Sequence, residues 1–157
     1  MTDQFNKFLR VFDAFEKEKV DYVLVGGVAV ILYGMQRLTR DIDIFVKMDS
    51  QNIARLRRAL HSVFNDSSIE EITYDELQRF PVIRYGTPNG FCIDILSQLG
   101  DVATYDDLES GSIDFENIKI RIATPETLYR LKKDTVRPED KLDAKFLEEI
   151  IKNSDIE

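Results

Sequence analysis

The fold is decided by residues 22–46, which read Tyr-Val-Leu-Val-Gly-Gly-Val-Ala-Val-Ile-Leu-Tyr-Gly-Met-Gln-Arg-Leu-Thr-Arg-Asp-Ile-Asp-Ile-Phe-Val. An apolar run, Tyr22–Val25, ends in a pair of glycines, and a short apolar helical segment follows from about Val28 to Tyr33. A second apolar run begins at Asp41 and extends to Val46. Short apolar runs punctuated in this way predict a strand, a helix and a second strand in succession.

Two carboxylates stand inside the second apolar run. Side chains two residues apart in a strand project from the same face, so Asp41 and Asp43 point one way, whereas Ile42 and Ile44 point into a core. Two carboxylates side by side in an apolar strand are costly unless a cation compensates them. A divalent metal with hard oxygen ligands is the usual compensating cation. The alternative is that both residues are ordinary acids at a strand end.

A third carboxylate, Asp94, lies at the centre of a later predicted strand, Phe91–Leu96. If this strand lies about 4.8 Å from the first, the three acids converge. Such a cluster can hold one or two Mg²⁺ or Mn²⁺ ions in the arrangement used for in-line displacement at phosphorus. If the strand lies elsewhere, Asp94 is an acid that faces solvent.

The glycine pair, Gly26 and Gly27, fits the same chemistry. Glycine lets a phosphate approach the backbone closely, because no side chain intrudes. The helix predicted to begin near Val28 offers unpaired N–H groups and a favourable dipole to that phosphate. A tight turn between a strand and a helix explains the pair equally well without any ligand.

The flanking sequence predicts helices around a mixed sheet. Phenylalanines at helical spacing near the N-terminus predict a helix with an aromatic core face, and Asp49 or Ser50 caps a later helix. The turn-rich residues 86–90 separate two apolar runs and predict an antiparallel hairpin. Near the C-terminus, Thr124-Pro125 and Arg137-Pro138 each begin a helix. The last helix has a predicted buried stripe of Leu142, Phe146, Leu147, Ile150 and Ile151.

Composition limits the class of protein. The 157 residues suggest one domain, and the net charge of −8 argues against a non-specific nucleic-acid binder, which normally carries a basic face. One cysteine and one histidine make a structural zinc site improbable and suit a reducing cytoplasm. No apolar run approaches the roughly 18 residues that a membrane span needs, and the N-terminus lacks the pattern of a signal peptide.

Gly26-Gly27, Asp41-x-Asp43 and Asp94 at this spacing resemble the nucleotidyltransferase superfamily with the DNA polymerase β-like fold. The pattern Gly34-x-x-Arg37-x-Thr39-x-Asp41-x-Asp43 is similar to the small bacterial branch of minimal nucleotidyltransferases and AbiEii-like toxins. The C-terminal segment from Thr124 through Lys132-Lys133 to Asp143 is similar to the helical tail of that branch. The resemblance spans about Val20 to Ile151. Two departures are Gly27, where many members have Ser, and Glu139, where the tail often has Lys.

The resemblance implies an α/β (α+β) nucleotidyltransferase domain over residues 1–157, with its core at about 20–123 and its C-terminal helices at about 125–152. It implies a cytoplasmic, Mg²⁺-dependent enzyme that moves a nucleoside monophosphate from a nucleoside triphosphate to an acceptor hydroxyl and releases pyrophosphate. Asp41, Asp43 and Asp94 are the expected catalytic and metal-binding residues. The expected nucleotide contacts are Gly26, Gly27, Arg40 and Lys133.

The arginines and lysines near the predicted site can also be explained by structural roles that involve no nucleotide. Either Arg37 or Arg40 pairs with a carboxylate, which leaves the other to reach a triphosphate. Lys132, Lys133, Lys141 and Asp143 would in that alternative form a charged helix face. The second functional hypothesis is a non-catalytic relative that acts as a binding or regulatory partner in a toxin–antitoxin pair. The acceptor, whether a small molecule, an RNA end or a protein, is left open by the sequence.

Overall fold

The computed structural model describes residues 3–101, 103–135 and 137–156, without the side chains of residues 155 and 156. The first half of the chain forms four helices and two strands. Their bounds are α1 Asp3–Lys17, β1 Tyr22–Val25, α2 Gly26–Leu32, β2 Asp41–Val46, α3 Ser50–Phe64 and α4 Tyr74–Arg79.

The second half of the chain adds six strands and two helices. Their bounds are β3 Val82–Gly86, β4 Cys92–Leu96, β5 Gln98–Leu99, β6 Ala103–Thr104, β7 Ser110–Phe115, β8 Ile118–Ala123, α5 Pro125–Lys132 and α6 Pro138–Ile156. Two short 3₁₀ turns, Ser67–Glu71 and Tyr105–Asp107, lie in the connections. The caps that the sequence predicts are present, because Asp49 accepts a hydrogen bond at the start of α3 and Thr124 accepts one at the start of α5.

Six of the strands form one mixed sheet in the order β3-β4-β2-β1-β8-β7. Strand β2 runs antiparallel to β1 and parallel to β4, and β1 runs parallel to β8. The outer strands β3 and β7 complete antiparallel hairpins with β4 and β8. The mixed sheet flanked by helices confirms the predicted fold class, and it places the two acid-bearing strands side by side near the centre.

Aromatic side chains of α1 cover the sheet. Phe8 packs edge-on against Phe91, and Phe12 and Phe15 contact Tyr22 of β1. Each of these rings is almost completely buried. The phenylalanine stripe is therefore core, as the helical spacing predicts.

Two details of the fold differ from the prediction. Helix α2 begins at Gly26, so the glycine pair forms its first turn and does not precede it. In α6, Leu142 is 61% exposed, whereas its neighbour Asp143 is completely buried. The predicted apolar stripe is wrong at this position because Asp143 pairs with Arg37 and Lys132, and these ion pairs set the rotation of the helix.

None of the helices in the described part of the chain is both long enough and apolar enough to span a membrane. Helix α6, which has 19 residues, carries charged side chains along its length, including Lys145, Glu148 and Glu149.

Asn52 joins α3 to the residues that flank β1 and β2 at one end of their antiparallel pair, and it provides a test of the fold. Its buried amide accepts a hydrogen bond from the backbone N–H of Asp21 and donates to the carbonyl oxygens of Asp21 and Lys47. Asn52→Ala leaves buried backbone groups without partners and should lower the free energy of unfolding by about 2–3 kcal/mol. Thermal unfolding should show a midpoint lower by roughly 5–10 °C. Gln51→Ala, at an exposed position of the same helix, is the control, and an equal effect of the two variants would contradict this role.

Candidate active site

The three predicted carboxylates meet in the middle of the sheet. Asp43 on β2 lies directly opposite Asp94 on β4 in the parallel register. Asp41 stands two residues earlier on the same face of β2, as the alternation of a strand requires. The Asp41 side chain is 35% exposed and that of Asp94 is 13% exposed. The structure thus brings together the acids that the sequence singles out.

Asp43 is the most perturbed of these acids. Burial raises the pKa of Asp43 to about 7, and its hydrogen bond to Asp94 and the negative charges of Asp94 and Asp41 add to that rise. The positive charge of Lys132 acts in the opposite direction and lowers the pKa. Near neutral pH, Asp43 is therefore partly protonated until a cation compensates the cluster.

Arg84 of β3 supplies one such positive charge. Its Nε and Nη2 atoms donate to the two oxygens of Asp94 at 2.9 and 3.0 Å, and Nη2 lies 3.5 Å from Asp41 Oδ2. The pair raises the pKa of Arg84 above its usual range. Arg84 is not among the site residues that the sequence predicts. The signal was available, because the predicted hairpin places Arg84 opposite Asp94 once its register is known.

The two glycines have different neighbours. Gly26 has φ +74°, and a Cβ atom there would lie 2.1 Å from Asp43 Oδ2, so the carboxylate packs directly on the glycine backbone. At Gly27, a Cβ atom would lie 3.2 Å from both Arg37 Nη2 and Thr39 Oγ1. Close packing of Asp43 thus accounts for Gly26 without a ligand, and the predicted phosphate contact of the pair stays a prediction.

A second cluster of charges lies beneath the C-terminal helices. The Lys132 ammonium contacts Asp140 at 3.1 Å and Asp143 at 2.8 Å, and Arg37 also pairs with Asp143. Thr135 donates a hydrogen bond to Asp140 at 2.9 Å. Two cations and two carboxylates balance in charge, and their contacts fasten α5 and α6 to the loop between α2 and β2. The Oδ1 atom of Asp143 is buried and accepts no hydrogen bond among the described residues.

The cationic residues that line the site differ from those that the sequence nominated. Arg40 and Lys133 are exposed and do not line the central cavity. Their neighbours Arg37 and Lys132 line it instead. Arg37 is the arginine that pairs with a carboxylate, which was one of the two alternatives for this segment. Lys133 is the C-cap residue of α5, where the chain leaves the helix.

These groups surround a cavity of about 400 Å³. The volume lies within the range of roughly 300–1,000 Å³ typical of small-molecule sites. Its wall carries both acids and cations, together with the two glycines: Gly26, Gly27, Asp41, Asp43, Asp94, Arg84, Arg37, Lys132, Arg137 and Asp140. An anionic ligand that also carries a divalent cation would match both kinds of charged group.

The three acids have the donor atoms that a divalent metal prefers. Asp41, Asp43 and Asp94 offer carboxylate oxygens alone, which suit Mg²⁺ or Mn²⁺. As the side chains stand, the described part of the chain contains no group of three or more His, Cys, Asp or Glu residues that could hold a metal ion. Both oxygens of Asp94 are bonded to Arg84. The chemistry of the donors fits a metal, and metal binding stays a prediction.

The packing of Asp43 on Gly26 can be tested by a pair of substitutions. Gly26→Ala introduces a Cβ atom at a positive φ and against the carboxylate, so it should lower the free energy of unfolding by about 1–2 kcal/mol or more. Gly27→Ala should cost less than about 1 kcal/mol, because Gly27 does not have a positive φ and its added Cβ atom would lie 3.2 Å, not 2.1 Å, from its nearest neighbour. Urea unfolding of both variants measures the difference. If Gly26→Ala were no less stable than Gly27→Ala, the close packing would be absent in solution.

Comparison with known proteins places this geometry in a family. Residues 7–143 match the family described as "Nucleotidyl transferase AbiEii toxin, Type IV TA system". That match covers most of the chain and includes the three carboxylates as well as Arg37 and Lys132. The comparison with curated proteins found no match.

Solved structures share the fold at low sequence identity. The lincosamide antibiotic adenylyltransferase LnuA, in its lincomycin-bound structure, is 20% identical with a TM-score of 0.57, covering 94% of this chain and 97% of its own. A nucleotidyltransferase-like antigenic protein from Paracoccidioides brasiliensis is 17% identical with a TM-score of 0.57, covering 93% and 74%. The protein TM1012 from Thermotoga maritima is 19% identical with a TM-score of 0.53, covering 95% and 96%. From its family match and its fold, the chain belongs to the AbiEii family of nucleotidyltransferases.

Proposed function

We propose that the chain transfers a nucleoside monophosphate from a nucleoside triphosphate to an acceptor hydroxyl, with Mg²⁺ or Mn²⁺ as cofactor. The observation that supports this proposal is the convergence of Asp41, Asp43 and Asp94 on one wall of a cavity of about 400 Å³. Arg37, Lys132 and Arg137 line the same cavity. Family membership supports the class of reaction.

The carboxylates are the proposed metal ligands. Asp41 and Asp43 would hold one ion, and Asp43 and Asp94 would share a second. When bound, such ions neutralise phosphate charge and lower the pKa of an acceptor hydroxyl. Asp43 suits the shared position because it lies between the other two acids and is buried beside Gly26.

The side chains of the pocket have separate roles in the proposed transfer. The acceptor oxygen attacks the α-phosphorus, the bond from that phosphorus to the pyrophosphate oxygen breaks, and the hydroxyl proton passes to Asp94. Lys132 and Arg137 line the cavity and would attract the triphosphate, in place of the predicted Arg40 and Lys133. The backbone at Gly26 and Gly27 remains the proposed neighbour of the phosphates. Arg84 must first leave Asp94, because a carboxylate that accepts a proton cannot stay in a full ion pair.

The acceptor and the partner are inferred at the level of class. LnuA is an adenylyltransferase for lincosamide antibiotics, so this fold accommodates a small-molecule acceptor in that protein. The matched family is described as a toxin of a toxin–antitoxin system. We therefore propose a cytoplasmic toxin whose acceptor is a cellular hydroxyl and whose partner is an antitoxin protein.

A non-catalytic role as a toxin–antitoxin component is the second candidate function. The observation that favours it is the pairing of both Asp94 oxygens with Arg84. A protein whose third acid were permanently neutralised would bind a ligand without catalysing transfer.

The two candidates make different predictions for transfer of labelled phosphate. The purified chain, incubated with each α-labelled nucleoside triphosphate, Mg²⁺ or Mn²⁺, and cellular RNA, protein or small-molecule extract, should release pyrophosphate and label one acceptor fraction. Asp43→Asn should reduce labelling by about 100-fold or more, because it removes the ligand shared by both ions. Asp114→Asn, at an exposed site on β7, should retain full labelling.

Folding and binding controls complete the comparison. Circular dichroism should show that Asp43→Asn remains folded, because the change removes a buried charge. Equal labelling by Asp43→Asn and wild type would place the chemistry elsewhere in the chain. Absence of labelling in wild type, with nucleotide binding retained, would instead favour the non-catalytic role.

A further inference from the structure

Arg84 has an unusual position for a residue that neutralises the site. It lies on β3, one of the two edge strands of the sheet, directly opposite Asp94 in the antiparallel register. The register fixes the position of its Cα atom, so the guanidinium reaches the acids along the sheet surface. Arg84 also lines the central cavity.

The contact of Arg84 uses the atoms that a cation at Asp94 would need. Nε and Nη2 each donate a hydrogen bond to one oxygen of Asp94, and Nη2 approaches Asp41. Two parallel N–H···O bonds are the strongest geometry available to an arginine and a carboxylate. A positive charge seated between Asp94 and Asp41 repels a second cation brought to the same oxygens.

The exposure of Arg84 distinguishes it from the cations of the buried cluster. Its side chain is 60% exposed, whereas those of Arg37 and Lys132 are 21% and 10% exposed. Exposed ion pairs contribute little to stability, because water screens the charges and the long side chain loses entropy on pairing. Arg84 can therefore leave Asp94 once another cation takes over the charge of that carboxylate, while Arg37 and Lys132 are held by the completely buried Asp143.

We propose that Arg84 is a built-in competitor of the divalent cation at Asp94. In the metal-free chain it holds Asp94, and cation binding displaces it into the cavity, where its charge faces the triphosphate. The second cation position thereby becomes dependent on the nucleotide, because an anionic ligand favours the displaced guanidinium. This inference rests on the metal site of the proposed function.

Mn²⁺ binding without nucleotide tests the competition directly. The free Mn²⁺ signal in electron paramagnetic resonance gives the bound fraction for wild type, Arg84→Gln, Arg84→Lys and Arg121→Gln. Arg84→Gln should bind Mn²⁺ about three- to fivefold more tightly than wild type, the range expected for loss of an exposed ion pair. Arg84→Lys should lie between the two, because it keeps the charge without the paired N–H···O geometry.

Arg121→Gln is the matched control because it removes the same charge from another strand. Arg121 lies on β8, is 40% exposed and has Asp21 as an ion-pair partner, outside the cavity lining. Its variant should bind Mn²⁺ as wild type does. A gain as large as that of Arg84→Gln would overturn the proposal, because the effect would then come from net charge.

Asp43→Asn separates failure of this inference from failure of the proposed function. Mn²⁺ binding that depends on Asp43 but is unchanged or weakened in Arg84→Gln would overturn the competition and leave the metal site intact. No Asp43-dependent binding in wild type or in Arg84→Gln would overturn both. Asp43-dependent binding that tightens in Arg84→Gln but not in Arg121→Gln supports the competition.

Discussion

The structure depends on the placement of negative charge at the centre of a sheet. Asp43 lies on a strand with neighbours on both sides, faces Asp94 across the parallel pairing and rests on the backbone of Gly26. Burial raises the pKa of Asp43, and the hydrogen bond to Asp94 and the charges of Asp94 and Asp41 add to that rise, which reflects the cost of this placement. The apolar residues on the opposite face, including Ile42 and Ile44, are completely buried and hold the strand in place.

Two groups of cations lie around the cavity and differ in burial. Arg37 and Lys132 form a balanced buried network with Asp140 and Asp143, which ties the C-terminal helices to the pocket. Because its members are buried, breaking one pair would leave an uncompensated charge, which is strongly destabilising. Arg84 forms an exposed pair at the edge of the sheet and can be released. The network of Arg37 and Lys132 therefore shapes the cavity, whereas Arg84 is suited to move when a ligand binds.

The family match includes the helices that carry the buried ion-pair network. Residues 7–143 belong to the AbiEii nucleotidyltransferases, and the fold is shared with the adenylyltransferase LnuA at 20% identity. The matched segment ends at Asp143, the acid on which the buried network converges. The tail helices are thus part of the pocket itself, since removal of α6 would leave Lys132 and Arg37 without their buried partner.

The sequence by itself determined the elements whose signals are local. The apolar runs gave the bounds of β1 and β2, the alternation within β2 placed Asp41 and Asp43 on one face, and the Thr124-Pro125 cap marked the start of α5. Strand period, caps and turn residues act over a few residues, so they can be read without knowing the partners of a segment. The pairing of β2 with β4 was predicted only by assuming that the three acids share a site, and no local pattern indicates it.

Only the tertiary structure decided which cations line the cavity beside those acids. Arg84 becomes a partner of Asp94 through hairpin register, and Arg37 and Lys132 line the cavity through contacts over long sequence separations, whereas the predicted Arg40 and Lys133 do not line it. Adjacent cationic residues cannot be told apart by a local sequence pattern, but their side chains point in different directions. An error of one position therefore changes which side chain faces the cavity. Asp143 shows the same limit, because its burial depends on ion pairs between distant segments that no local pattern encodes.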